Sequence, residues 1–198
     1  IVTEVQTCAL PIFDRFITKF YYFKEWCLVQ KSSIPNILTL GNLVFGLLSL
    51  IMTFQANYKL SIAFILLAAL MDRYDGQVAR FLKVSSELGK ELDSLSDLVS
   101  FGVAPSVLIF YLYNFVSLGY LGYICFLVYP VAGAYRLARY NNSTFNNVYT
   151  GIPITLAGML VAIYALITLN SPHNFPITII IMFILSYLMV SKFQIKKR

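Results

Sequence analysis

Six apolar runs succeed one another along the chain, at roughly 37–54, 60–80, 93–114, 119–139, 152–170 and 175–192, joined by short connections. Each comes close to the ~20 residues that an α-helix needs to cross the hydrocarbon core of a bilayer. A chain that must satisfy its backbone hydrogen bonds inside lipid can do so as helices or as a closed barrel. Runs of this length select helices. The predicted fold is therefore all-α and integral to the membrane, with six transmembrane helices in a single domain over residues 35–198. A mean hydropathy of +0.74 and a charged fraction of 12% exclude a soluble globular core.

Upstream of the first run, Phe13, Phe16, Ile17, Phe20 and Phe23 recur at helical spacing, with Arg15, Lys19 and Lys24 between them. This pattern predicts a basic amphipathic juxtamembrane helix over 13–31, lying in the headgroup plane with Trp26 as an anchor. Residues 1–12 resemble translated adaptor read-through and are expected to be a non-native leader. With the N-terminus placed in the cytoplasm, only Lys59 of the 15 basic residues falls on the outer side. That bias puts both termini and the aspartates near the end of the second run on the cytoplasmic side, in what we take to be the plasma membrane. It also assigns the net charge of +6 to anionic lipid headgroups and not to nucleic acid. The three cysteines are too widely spaced for a disulfide framework or a zinc site. The single histidine, His173, sits in a short Ser-Pro-His-Asn loop, which argues against histidine-based catalysis.

Asp72, Asp75, Asp93 and Asp97 account for four of nine acidic residues, and they fall beside or inside apolar runs, where an unpaired carboxylate is costly. Asp72 and Asp75 are i, i+3 in the second run, and Asp93 and Asp97 are i, i+4 at the start of the third, so each pair shares a helix face. If the 79–91 stretch folds back as a loop, the two faces meet. Four carboxylates so placed repel one another unless cations occupy the site. Hard oxygen ligands favour Mg²⁺, Mn²⁺ or Ca²⁺ over zinc, and four suit two ions better than one. Gly76 and Gly89 read as places where a missing side chain lets a phosphate or sugar approach. Arg80 offers a fork of donors to a phosphate, and Asp93 and Asp97 are expected to gain from a helix N-terminal dipole.

The pattern Asp72-x2-Asp75-Gly76-x2-Ala79-Arg80-x8-Gly89-x3-Asp93-x3-Asp97 resembles the signature of the CDP-alcohol phosphotransferase family, with no position missing. The resemblance implies six transmembrane helices, commonly in a homodimer, with the signature on the second and third. It implies two divalent cations (Mg²⁺ or Mn²⁺, or Ca²⁺) held by Asp72, Asp75 and Asp93, with Asp97 as general base lying close to or on a metal. Gly76, Ala79 and Arg80, with Asp72, would line the site for the CDP moiety. Further stretches, Ser100-Phe101-Gly102, Gly133-Ala134-Tyr135-Arg136 through Asn141, and Thr150-Gly151-Ile152-Pro153, resemble the phosphatidylserine synthase branch. That branch implies CDP-diacylglycerol as donor, L-serine as acceptor, and phosphatidylserine and CMP as products.

Three features leave alternatives open. Arg136 and Arg139, i, i+3 at the end of the fourth run, are candidates to bind the acceptor carboxylate and the lipid phosphate, or they are flanking residues of the positive-inside pattern. Asn42, a polar group within the first run, either bonds the nucleotide side of the site or joins two helices. Tyr111, Tyr113, Tyr120, Tyr123 and Tyr129 read as an interfacial belt. The acceptor could instead be glycerol phosphate or an inositol compound. From another class, the cluster could be a divalent-cation transport site, although transporters more naturally place such groups at the midplane on broken helices.

Overall fold

The structure is a computed structural model in which residues 35–82, 86–142, 148–170, 175–191 and 194–196 are described. The expected leader and the amphipathic helix over 13–31 lie outside the described residues. Among these residues are six long helices, α1 Pro35–Phe54, α2 Tyr58–Leu82, α3 Glu87–Leu112, α4 Tyr120–Asn142, α5 Ile154–Thr168 and α6 Phe175–Val190, with a short 3-10 helix, Phe115–Leu118, between α3 and α4. Each long helix coincides with one apolar run. By length and composition α1, α3 and α4 can cross a membrane, while α5 and α6 are apolar but shorter. α2 is 25 residues long and carries Asp72, Arg73 and Asp75 in its second half.

The sequence reading misplaced the junction between α2 and α3. The 79–91 stretch is mostly helix, because α2 continues to Leu82 and α3 has begun by Glu87. Ser86 explains the early start. It lies in extended backbone, and its Oγ accepts the Gly89 N–H at 3.0 Å, capping the helix. The first turns of α3 are amphipathic, so mean hydropathy does not register them. Asp93 and Asp97 consequently lie deeper than the first turn, beyond the reach of the terminal dipole on which they were expected to draw.

A buried stripe on α1 organises the core. Thr39, Asn42, Gly46, Ser49 and Thr53 recur three and four residues apart, and all are buried. Small and hydroxylic residues allow close helix approach in lipid, where apolar burial gives little drive for association. Ser61 of α2 bonds both Ser49 at 2.9 Å and Thr53 at 2.7 Å. Ser100 of α3 donates to the Asn42 carbonyl at 3.0 Å. A Cβ on Gly46 would lie 2.4 Å from Ser100 Oγ and 2.9 Å from Ser100 Cα. Gly46→Leu is therefore expected to force α1 from α3. Overpacking of this kind costs about 1–3 kcal/mol, to be read as a lowered melting temperature in detergent.

Ser100 belongs to a π turn, Leu98–Val103, that interrupts α3 directly after Asp97. The turn sits at the centre of the bundle, touching α2, α4 and α5. One residue per turn more than an α-helix rotates the remainder of α3 by about 100°. Phe101 is thereby fully buried, and its backbone and Cβ fit against Gly158 of α5, where an added Cβ would lie 2.7 Å from Phe101 Cβ.

α2 packs along α5, and α4 along α6. At the end that carries the aspartates, the C-terminus of α6 is held by two neighbours. Arg139 of α4 donates to the carbonyls of Val190 at 2.9 Å and Ser191 at 3.4 Å. Ile152 N–H reaches the Leu188 carbonyl at 3.3 Å. Gly151, at φ +77°, permits this approach, since a Cβ there would lie 2.6 Å from the Met189 carbonyl oxygen. The all-α expectation needs one addition. Strands β1 Val148–Thr150 and β2 Gln194–Lys196 pair antiparallel, with Tyr149 opposite Ile195. The tyrosines also divide. Tyr113 and Tyr129 are buried, whereas Tyr111, Tyr120 and Tyr123 are exposed and suit a belt.

Candidate metal and acceptor site

Asp72 and Asp97 each stand ten residues from the adjoining helix ends, Leu82 and Glu87, which at 1.5 Å per residue is about 15 Å. Asp75 and Asp93 lie one turn nearer those ends. The packing of α2 against α3 closes the two pairs into one cluster. Carboxylate oxygens of Asp72, Asp75 and Asp93 all lie within 4.8 Å of one another, a grouping suited to hold a metal ion. Asp97 is not in that triad, but it lies in the field of Asp72, Asp93 and Asp75. Asp75 and Asp97 are buried, and Asp72 and Asp93 are half-buried.

Helix α1 supplies the groups that orient two of these carboxylates. Thr39 Oγ1 lies 3.0 Å from Asp75 Oδ2 and 3.1 Å from the Pro35 carbonyl, with one proton to donate. Asn42 Nδ2 donates to Asp97 Oδ1 at 3.2 Å. Asn42 is fully buried, so the structure gives it the helix-joining contact, through Asp97 itself. Thr39 escaped the sequence reading, although its place on the polar stripe of α1 was visible. Bonds that orient metal ligands are worth about 10–100-fold in metal affinity. Thr39→Val should accordingly raise the Mn²⁺ concentration for half-maximal binding about tenfold, measured by calorimetry on the full chain.

The two glycines of the signature separate in role. An added Cβ at Gly76 would meet nothing within 4 Å, so the space beside Asp75 is open for a ligand. At Gly89 it would lie 2.9 Å from Asn36 Oδ1 and 3.0 Å from Ser86 Oγ. Gly89 thus makes room for α1 and the helix cap, and the expected approach of a phosphate there is not what occupies the space. Ala79 is half-buried one turn beyond Asp75. Arg80 is exposed and folds back so that its Nε donates to the Gly76 carbonyl at 2.9 Å.

Arg136 and Arg139 also part company. Arg139 is engaged with the end of α6 and lies over the Tyr135 ring at 5.9 Å. Arg136 is only 9% exposed, and its Nε has no hydrogen-bond partner among the described residues. Its charge interacts with that of Asp97. Asn42 Oδ1 and Ser96 Oγ are likewise buried without partners among the described residues. Each of these three atoms belongs to a residue bonded to, adjacent to or electrostatically coupled with Asp97. Ser106 Oγ and Tyr129 Oη are also buried without partners among the described residues. Buried polar atoms are nearly always satisfied, and of these five the Arg136 Nε leaves a cationic donor free in the field of Asp97. Asn141, the last residue of the stretch that resembles the phosphatidylserine synthase branch, donates to Ser94 Oγ at 2.9 Å and ties α4 to α3.

Several known proteins are similar in sequence to this chain. The chain is 39% identical to the CDP-diacylglycerol–serine O-phosphatidyltransferase of Bacillus subtilis over 163 residues, 81% of this chain and 88% of that protein. It is 35% identical to the enzyme of the same name from Helicobacter pylori over 144 residues, 71% of this chain and 60% of that protein. It is 32% identical to the archaetidylserine synthase of Methanothermobacter thermautotrophicus over 165 residues, 82% and 69% of the two chains. The family description "CDP-alcohol phosphatidyltransferase" matches residues 32–191. With its four aspartates gathered from α2 and α3 and this match over most of its length, the chain belongs to the CDP-alcohol phosphatidyltransferase family.

Proposed function

We propose that this chain is a membrane enzyme that transfers the phosphatidyl group of CDP-diacylglycerol to the hydroxyl of L-serine, giving phosphatidylserine and CMP. The observation that carries the reading is the convergence of the Asp72–Asp75–Asp93 triad with a buried, Asn42-bound Asp97. The names of the relatives supply donor and acceptor. All six helices span the bilayer in this reading, with the aspartate end cytoplasmic, a juxtamembrane helix over 13–31, and a homodimer as the resemblance implies.

The donor set fits hard divalent cations, because every candidate ligand is a carboxylate oxygen. Asp72, Asp75, Asp93 and Asp97 would hold two such ions, Mg²⁺ or Mn²⁺ (or Ca²⁺), which supply electrostatic neutralisation of a pyrophosphate. The open space at Gly76, with Ala79 and Arg80 beside it, receives the CDP moiety. Asn42 holds Asp97 in one orientation. Asp97 takes the proton from the serine hydroxyl, whose oxygen attacks the phosphorus bearing diacylglycerol as the bond to CMP breaks. The displacement is single and needs no covalent enzyme intermediate.

Arg136 binds the serine carboxylate. It is the buried cation beside Asp97 with donor capacity left over, and a fork of N–H donors suits a carboxylate. Arg139 holds the end of α6 in place. An acceptor panel tests the whole reading. Vesicles containing the protein, CDP-diacylglycerol and Mn²⁺ should convert radiolabelled serine to a chloroform-soluble product. Conversion of glycerol phosphate or inositol in its place would keep the family chemistry and reject serine. Mn²⁺ uptake without turnover of any CDP-lipid would replace the enzyme by a transporter.

A further inference from the structure

The two halves of α3 are out of helical phase in the sequence. Ser96 and Leu108 stand twelve residues apart, as do Asp97 and Ile109, and all four are buried. At 3.6 residues per turn, twelve residues separate two side chains by about 120° around the axis. Leu95 and Tyr111, sixteen apart, would lie about 160° from one another, yet they are 60% and 46% exposed. A continuous α-helix would therefore splay each buried pair and set the two exposed residues on nearly opposite sides. Taking out one residue's rotation, about 100°, reduces the separations to about 20° and 60°.

The backbone makes that correction within the π turn, Leu98–Val103. Leu98 N–H bonds the Ser94 carbonyl, four residues back, whereas Ala104 N–H bonds the Val99 carbonyl, five back. One residue is thus taken up between them. The slip leaves the carbonyl of buried Ser100 without a donor in either helical register. Its α partner, Ala104, is committed to Val99, and its π partner is Pro105, which has no N–H. A buried backbone acceptor so placed is a cost, to be offset by what the rotation gains. Pro105 also pins the slip. In an unbroken α-helix its ring would meet the carbonyl of Phe101, four residues earlier.

Beyond the turn, α3 is fixed by three neighbours. Tyr113, at its end, shares a hydrogen bond with Thr168 of α5 and stacks on Tyr164 at 6.2 Å. Phe110 meets Phe126 of α4 at 5.4 Å. Tyr111 meets Phe54 of α1 edge-on at 5.6 Å.

We propose that Pro105 and the π turn form a positioning device for the metal site. They set the rotation of the half of α3 that carries Asp93 and Asp97 against an outer half that its neighbours hold still. Without the slip, those two carboxylates would point about 100° away from Asp72 and Asp75. Pro105 is a positioning residue, acting from about two turns beyond Asp97. The inference rests on the metal site proposed above and adds how one of its two helices is aimed.

Mn²⁺ binding by the full chain in nanodiscs, followed by calorimetry with melting measured alongside, tests this. Pro105→Ala supplies the missing N–H and lets the helix run on in α register. Its Mn²⁺ affinity should fall about tenfold, the scale of a misdirected ligand set. Deleting half-buried Val99 from the same variant removes the surplus residue and brings the two halves of a continuous helix back into phase. Most of the lost affinity should return, and serine-dependent CMP release should follow the same order. A proline needed only for packing would not be rescued by shortening the chain. Parent-like Mn²⁺ binding in Pro105→Ala overturns the proposal. So does a shortened variant that fails to fold or binds no better than Pro105→Ala. A parent chain that binds no Mn²⁺ would reject the metal reading itself, and the proposal with it. Rescue of Mn²⁺ binding in protein that releases no CMP with any acceptor would keep the role of the turn and reject the reaction.

Discussion

Asp97→Asn should lower kcat about 10³-fold while leaving the protein folded, because removing a positioned general base typically costs 10²–10⁴. The substitution is nearly isosteric, and an amide at this position can still bond Asn42, which now meets Asp97 Oδ1 at 3.2 Å. Turnover should fall without a matching rise in KM for serine or donor, the pattern of an interaction made in the transition state. A second consequence separates chemistry from stability. Four carboxylates in one small volume destabilise the metal-free protein, and Asp97 is the most deeply placed member of the cluster apart from Asp75. In EDTA, Asp97→Asn should therefore melt no lower than the parent chain. With Mn²⁺ present, its gain in melting temperature should be smaller. A variant that melts much lower in EDTA would show Asp97 to be chiefly a structural anchor for α1.

Arg136→Leu is expected to have the next largest effect, and on one substrate. A hydrogen bond to a charged group contributes about 1.5–3 kcal/mol, which corresponds to roughly 10–150-fold in KM for serine. KM for CDP-diacylglycerol should stay within about threefold. Serinol, which has the hydroxyl and amine of serine but no carboxylate, sharpens the comparison. The parent enzyme should strongly prefer serine, and Arg136→Leu should nearly abolish that preference. Arg136→Lys should recover part of it, since it keeps the charge and loses the planar fork. Equal losses with serine and serinol would place Arg136 in the general electrostatics of the site and leave the carboxylate without a recognised partner. Arg139→Gln, by contrast, should lower the melting temperature by loosening the α6 terminus, with acceptor selectivity unchanged.

Much of this was legible in the sequence, for reasons that differ by feature. The apolar runs located all six helices, because lipid leaves the chain few other ways to satisfy its backbone. The aspartate spacing located the cluster, because i, i+3 and i, i+4 positions share a face whatever the surrounding fold. What failed was information carried between helices. The helical starts and stops near 79–91 were hidden by amphipathic turns, and the Ser86 cap was the local signal that could have found them. Gly89 looked like an approach for ligand because sequence cannot show that Asn36 of α1 fills the space. Arg136 and Arg139 looked equivalent at i, i+3, but the end of α6, some 50 residues further along the chain, engages only the second. Thr39 was within reach. It lies three residues from Asn42 on a stripe whose small and polar members mark a buried helix face in a membrane protein. The π turn after Asp97 had no readable signal in the residues Leu98–Val103.

The most direct measurement is the stoichiometry of the reaction in purified protein: CMP and phosphatidylserine formed from CDP-diacylglycerol, with and without L-serine, as Mn²⁺ is titrated. The account predicts one CMP per phosphatidylserine, no CMP above background without serine, and no product in EDTA. Serine-dependent product formation that persists undiminished in EDTA would contradict the metal assignment of the four aspartates, and CMP release indifferent to serine would contradict the acceptor.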